Sequence, residues 1–168
     1  MTTSPLGGVL LGAAVEAGTA FETAVLPLHA PLVRRLVLVL RDPDEAEDVA
    51  QDAYLRALGA WDRFDGEDVR AWLYTIALRL AFDRLRQRRR WLGRLGRPSA
   101  TATYVDRVDP DLWAALDALE PRVRAALLAS AIDGYTHREI ATMLAVPEGT
   151  VASWLSRART SLRQTLGE

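Results

Sequence analysis

The residues of this chain that could do chemistry are arginines and carboxylates, and they are segregated along it. From Asp42 to Asp68 ten acids (Asp42, Asp44, Glu45, Glu47, Asp48, Asp52, Asp62, Asp65, Glu67, Asp68) are offset only by Arg56 and Arg63. From Arg79 to Arg97 eight arginines (Arg79, Arg84, Arg86, Arg88, Arg89, Arg90, Arg94, Arg97) are accompanied by Asp83 alone. The first block carries a net charge of −8 and the second +7, inside a chain whose total is −1. The chemistry this favours is ionic recognition. One surface suits a basic protein and the other nucleic acid, and like charges reject the wrong partner at each. All 21 basic residues are arginine, whose planar fork of donors matches phosphates and base edges.

Covalent and metal chemistry are poorly supplied. Cysteine is absent, which excludes disulfides, thiolate metal ligands and cysteine nucleophiles. The two histidines, His29 and His137, lie far apart in the sequence, so no dedicated metal site and no cofactor is expected. No histidine or serine stands in a recognisable nucleophile motif and no Gly-rich phosphate loop follows a strand, so an enzyme is not expected.

The elements that must position these charges read as helices throughout. Helical spacing recurs, while period-two alternation bounded by turn residues is not evident, and a hydrophobic fraction of 49% argues against disorder. The expected fold is all-α. A first helix is predicted from Thr19, which has capping-box spacing to Glu22, to about Leu40, with Pro27 and Pro31 making its start irregular. A second starts at Asp42, with Pro43 at the first helical position, and ends near Gly59. A third, long helix runs from about Glu67 to Trp91, with Trp72, Leu73, Ile76, Leu80 and Leu85 marking its apolar side.

Gly93, Gly96, Pro98 and Ser99 then mark residues 92–109 as a linker whose random-coil span is about 23 Å. Further helices are predicted over Asp111–Leu119, Pro121–Asp133, Thr136–Leu144 and Glu148–Leu166. Two small helical domains, 19–91 and 110–168, are the simpler account, because neither apolar pattern continues across the linker. Residues 1–18 are expected to be a flexible leader. Their apolar run, Leu6 to Val15, has no basic residue before it and is ended by Glu16, so membrane insertion is not expected and a cytoplasmic location is.

The stretch from Thr136 to Arg159, THREIATMLAVPEGTVASWLSRAR, has the parts of a helix-turn-helix in order. Thr136 and Glu139 have capping-box spacing, Ile140, Ala141 and Leu144 supply an apolar side, and Val146 and Pro147 turn the chain. On the second helix Val151, Leu155, Ala158 and Leu162 recur at core spacing, leaving Glu148, Gly149, Ala152, Ser153, Ser156, Arg157 and Arg159 nearer the outside. An ordinary helical hairpin would carry the same signals, but such a helix can also lie in a major groove.

This motif resembles region 4 of the sigma factors of bacterial RNA polymerase. The stretches LRDPDEAEDVAQDAYLRAL, Leu40 to Leu58, and AWLYTIALRLAFDRLRQRRR, Ala71 to Arg90, resemble region 2. The order and separation are similar to the extracytoplasmic-function (ECF) group of the sigma-70 family, over roughly Leu26 to Leu166. The resemblance implies a promoter-specificity subunit that binds RNA polymerase core and helps to melt promoter DNA. It implies polymerase docking by Glu47, Asp48, Gln51, Asp52, Tyr54 and Leu55. It implies contact with the −10 element by Trp72, Tyr74, Arg79, Asp83, Arg86, Arg89 and Arg90, with Phe82 as further aromatic surface and Arg84 and Arg88 as further phosphate contacts. Positions near the −35 element would be Arg138, Thr150, Ala152, Ser153, Trp154, Arg157 and Arg159. An anti-sigma factor, which commonly holds such proteins inactive, is a further implied partner.

Three positions depart from the family pattern. Arg79 stands where asparagine is common, and an arginine cannot reproduce an amide's paired donor and acceptor. Ala152 and Trp154 stand where a basic residue and an arginine are common, which predicts a weaker and less salt-dependent −35 contact. Two other readings are a stand-alone helix-turn-helix regulator, which leaves the acidic helix unexplained, and a sigma-like interaction protein that has lost promoter recognition.

Overall fold

The computed structural model describes residue 16 and residues 18–95 and 109–167. The expected leader and linker fall largely outside these residues. The described part is helical, with no strand among the described residues. Helix α1 covers residues 18–25 and is joined through a 3-10 turn, Leu26–Leu28, to α2, His29–Leu40. Then follow α3, Pro43–Leu58; a 3-10 turn, Trp61–Arg63; α4, Val69–Leu95; α5, Pro110–Asp117; α6, Pro121–Ala131; α7, His137–Leu144; and α8, Glu148–Leu166.

Local chemistry accounts for most of the boundaries. Asp42 caps α3 by accepting from the Glu45 amide at 3.0 Å, and Pro43 occupies the first position, where its missing N–H costs nothing. Asp109 and Pro110 open α5 in the same way, with Asp109 accepting from the Asp111 amide at 2.8 Å. Helix α4 begins at Val69, not Glu67, because Asp68 accepts from the Ala71 amide at 2.9 Å. The expected cap at Thr19 is not where a helix starts. Gly18 is already helical, and the Thr19 carbonyl accepts from the Thr23 hydroxyl at 2.8 Å. Pro27 falls in the 3-10 turn that divides the first predicted helix into α1 and α2.

Helix α2 is the centre of the molecule. Leu32, Val33, Leu36, Val37, Val39 and Leu40 are all buried, and α2 packs on α3, α4 and α6. Full burial of each such side chain is worth about 1.5–3 kcal/mol. Gly18–Leu40 is long and apolar enough to cross a membrane, but the α2 part of it is consumed in this packing. Alanines at Ala46, Ala50, Ala53 and Ala57 line the inner side of α3 and let it approach α2 and α4 closely.

The N-terminal unit (α1–α4) and the C-terminal unit (α5–α8) share one continuous apolar core. Helix α4 packs on α6 and α7, and α2 on α6. Tyr74 and Phe82 of α4 are buried at this junction, where Arg122 of α6 lies over the Phe82 ring, 5.3 Å from its centroid.

Candidate nucleic-acid interface

Helices α3 and α4 bring the acidic and arginine blocks side by side. Arg84 donates to Asp52 at 3.1 Å, and Arg88 donates to Glu45 at 3.1 Å and to the Leu40 carbonyl at 3.2 Å. Burial pushes the Glu45 carboxyl up, and Arg88 opposes that. Arg84 and Arg88, expected at phosphates, are therefore engaged in clasping α4 to α3. Arg79, Arg86, Arg89 and Arg90 remain exposed on α4, with Arg86 paired to Asp83 one turn back.

The residues expected to dock polymerase divide in two. Asp48, Gln51 and Leu55 share one side of α3 at spacings of three and four, and all are exposed, Leu55 by 69%. Glu47 pairs with His29 at 3.1 Å. Tyr54 donates to the Val25 carbonyl at 3.0 Å and stacks on His29, and burial next to Glu47 raises its phenol to about 12. With Asp52 held by Arg84, these three contribute to the packing of the N-terminal unit. Leu26 and Leu58 are also exposed, and both escaped the sequence reading.

At the start of α4 the aromatic side chains gather. Trp72 is half-buried and packs 4.9 Å from Phe64 and 6.1 Å from Trp61, centroid to centroid, and Phe21 meets Trp61 edge-on at 5.3 Å. Sequence reasoning missed Trp61 and Phe64. Both are half-buried on the segment between α3 and α4, where an extruded base would find a stacking surface. Tyr74 is not on that surface. It is 4% exposed and faces the C-terminal unit, beside Arg70, and burial together with Asp133 raises its phenol.

The C-terminal motif forms the expected pair of helices. Glu139 accepts from the Thr136 amide at 2.7 Å and Thr136 accepts from the Glu139 amide at 3.3 Å, a complete capping box at the start of α7. Those bonds to the ionised form hold the Glu139 carboxyl below its ordinary value. Ala145 turns the chain in the left-handed region, φ 51°, and Pro147 leads into α8. Val151, Leu155 and Ala158 are buried, while Leu162 is half-buried. Arg138, Ser153, Arg157 and Arg159 are exposed, and Thr150, Ala152 and Trp154 are intermediate. Trp154 packs against the core, which accounts for an aromatic side chain at that place.

Grooves of about 220 and 290 Å³ lie where the two units meet. The smaller is lined by Phe82, Leu85, Arg86, Arg89, Glu120, Pro121 and Arg122, and the larger by Arg79, Phe82, Asp83, Arg86, Arg122, Met143, Leu144 and Ala145. The arginines of α4 thus border the C-terminal unit, an adjacency that nothing in their sequence spacing signals. Among the described residues no group of three or more His, Asp or Glu side chains gathers as a metal site.

Comparison with known proteins matches this arrangement in both halves. The family model for sigma-70 region 2 matches residues 26–91, and that for sigma-70 region 4 matches residues 110–162. The ECF RNA polymerase sigma factor SigL of Mycobacterium tuberculosis is 32% identical, covering 92% of this chain and 94% of that protein. SigE of Mycolicibacterium smegmatis is 33% identical over 83% of this chain, which spans 59% of that relative's length. Among solved structures, the sigma factor RpoE in complex with the anti-sigma factor NepR from Bartonella quintana superposes with a TM-score of 0.78 at 26% identity, over 88% of this chain and 97% of that one. CnrH in complex with the cytosolic domain of CnrY gives 0.66 at 26% identity, over 92% and 94%.

Proposed function

Because the chain belongs to the ECF group of the sigma-70 family, we propose that the exposed side of α3 docks on RNA polymerase core while α4 and α8 hold the two promoter elements. The protein is a sigma factor: it directs core polymerase to promoters and aids opening of the DNA at initiation. It acts by binding and catalyses no reaction itself, in the cytoplasm, where polymerase and promoter are.

The observation that carries the docking assignment is the single stripe of Asp48, Gln51 and Leu55, with Leu55 69% exposed. A large aliphatic side chain left in water one turn beyond an amide and two beyond a carboxylate is the pattern of an apolar anchor with a charged rim, which suits a basic partner. Exposed Arg79, Arg86, Arg89 and Arg90 lie further along the same helix as Trp72 of the Trp61–Phe64–Trp72 cluster, and the two together suit a melted strand, with phosphates on guanidinium groups and bases on rings. Ser153, Arg157 and Arg159 on α8, with Arg138 on α7, suit a duplex −35 element. The resemblance to a sigma factor solved with an anti-sigma factor supports a regulatory partner of that kind.

Run-off transcription with purified core polymerase tests the reading. Wild-type protein should form a holoenzyme and give promoter-dependent transcripts. Asp48→Arg with Leu55→Glu should abolish core binding while leaving helicity by circular dichroism unchanged, since neither side chain is buried. Failure of the wild-type protein to bind core would sink the assignment.

A further inference from the structure

We infer that the free chain is latched shut through Asp133, and that engaging a promoter requires this latch to open. The inference rests on the two-element promoter reading and concerns its regulation. The Asp133 carboxylate belongs to the C-terminal unit, and its side chain is only 1% exposed. Arg35 of α2 grips it with two parallel bonds, Nε to Oδ2 at 2.8 Å and Nη2 to Oδ1 at 3.0 Å, and Arg70 of α4 adds a third contact to Oδ1. Both guanidinium groups come from the N-terminal unit, 98 and 63 residues away in sequence. A second clasp lies elsewhere on the same junction. The Arg41 guanidinium sits 3.3 Å from the Trp113 ring centroid, and its Nε is 3.1 Å from Asp117.

Geometry makes this a closed state. Promoter elements named −35 and −10 are separated by about 85 Å of duplex at 3.4 Å per step. A compact chain of this length is only about 40 Å across. With α4 packed on α7, the C-terminal unit also borders the groove onto which Arg79 and Arg86 face. The units must therefore part before both elements are held, and the chain between Leu95 and Asp109 can reach about 45–50 Å at full extension. A polar latch suits reversible use. In the open form each of the three groups regains water, whereas deleting one partner in the closed form strands buried charge.

The chain has no cysteine, so single labels can be introduced at exposed positions, Arg63→Cys in one unit and Arg163→Cys in the other, for energy transfer in the full-length protein. The wild type should show high transfer. Asp133→Arg, which places like charge against Arg35 and Arg70, should raise the open-to-closed ratio at least ~10-fold. A duplex carrying both promoter elements should then bind the free protein correspondingly tighter, because apparent affinity scales with the competent fraction. The triple exchange Arg35→Asp, Arg70→Asp, Asp133→Arg should restore high transfer. Asp133→Asn, which keeps shape and removes charge, should lie between wild type and Asp133→Arg and serves if the latter misfolds. Low transfer in the wild type, or unchanged transfer in Asp133→Asn with helicity intact, would overturn the latch. Opening with no gain in affinity for that duplex would overturn its regulatory meaning. Wild-type protein that is closed yet never binds core would count against the promoter reading alone.

Discussion

Trp154 carries much of what individual side chains decide here. It stands on the helix that should enter a groove, yet it packs against the core. Trp154→Arg should restore one phosphate contact, steepening the slope of log K against log salt by about 0.9. The same change should lower the melting temperature, because the ring's packing is lost, and salt titration with a −35 duplex alongside thermal denaturation would measure both. The exposed side of α3 was legible from residue types and spacing: Asp48, Gln51 and Leu55 stand clear, as read. Glu47, Asp52 and Tyr54 were not legible in the same way. Their partners are His29, Arg84 and the Val25 carbonyl, brought near only by helix packing, and no local pattern signals a contact 32 residues away.

At the scale of elements, caps separate signals that act from signals that merely match. Thr136 and Glu139 form their box at a helix start, while Thr19 and Glu22, at the same spacing, lie where the chain is already helical from Gly18. The Glu139 carboxyl is held below its ordinary value of 4.5, so its contribution is fully present above that pH and is lost as pH falls through the lower folded value. Glu139→Gln should therefore melt at a lower temperature than wild type at pH 7, with the difference shrinking as the pH is taken progressively below 4.5, as a series of thermal scans would record. The turn of the helix-turn-helix offers an opposite case. Ala145 adopts φ 51°, a conformation that costs a residue with a Cβ about 1–2 kcal/mol and glycine almost nothing. Ala145→Gly should raise stability by up to about 1 kcal/mol in urea unfolding, provided glycine's greater freedom in the unfolded chain offsets only part of the gain.

For the whole molecule, the two family regions were visible in the sequence but their union was not. Apolar periodicity stops at the linker, so it gave no sign that Tyr74, Phe82 and Leu116 would join one core. Asp133 read as the end of a helix before a turn, and its burial depends on Arg35 and Arg70 arriving from two other helices. Since both units share that core, calorimetry of the wild type should show a single unfolding transition. Weakening the junction with Asp133→Asn should split or broaden it, as each unit comes to melt on its own.

Helix α2 also sets a condition on how the protein is made. It is covered by α3, α4 and α6, all of which leave the ribosome after it. At about 5–20 residues per second, ~5–18 s pass between synthesis of Leu40 and of Ala131, the end of α6. For that interval the nascent chain carries a helical stretch, Gly18–Leu40, that by length and composition could pass for a membrane segment. A fragment that ends before α4 would lack the cover of α4 and α6, so the yield of folded protein depends on translation running past the arginine helix without interruption.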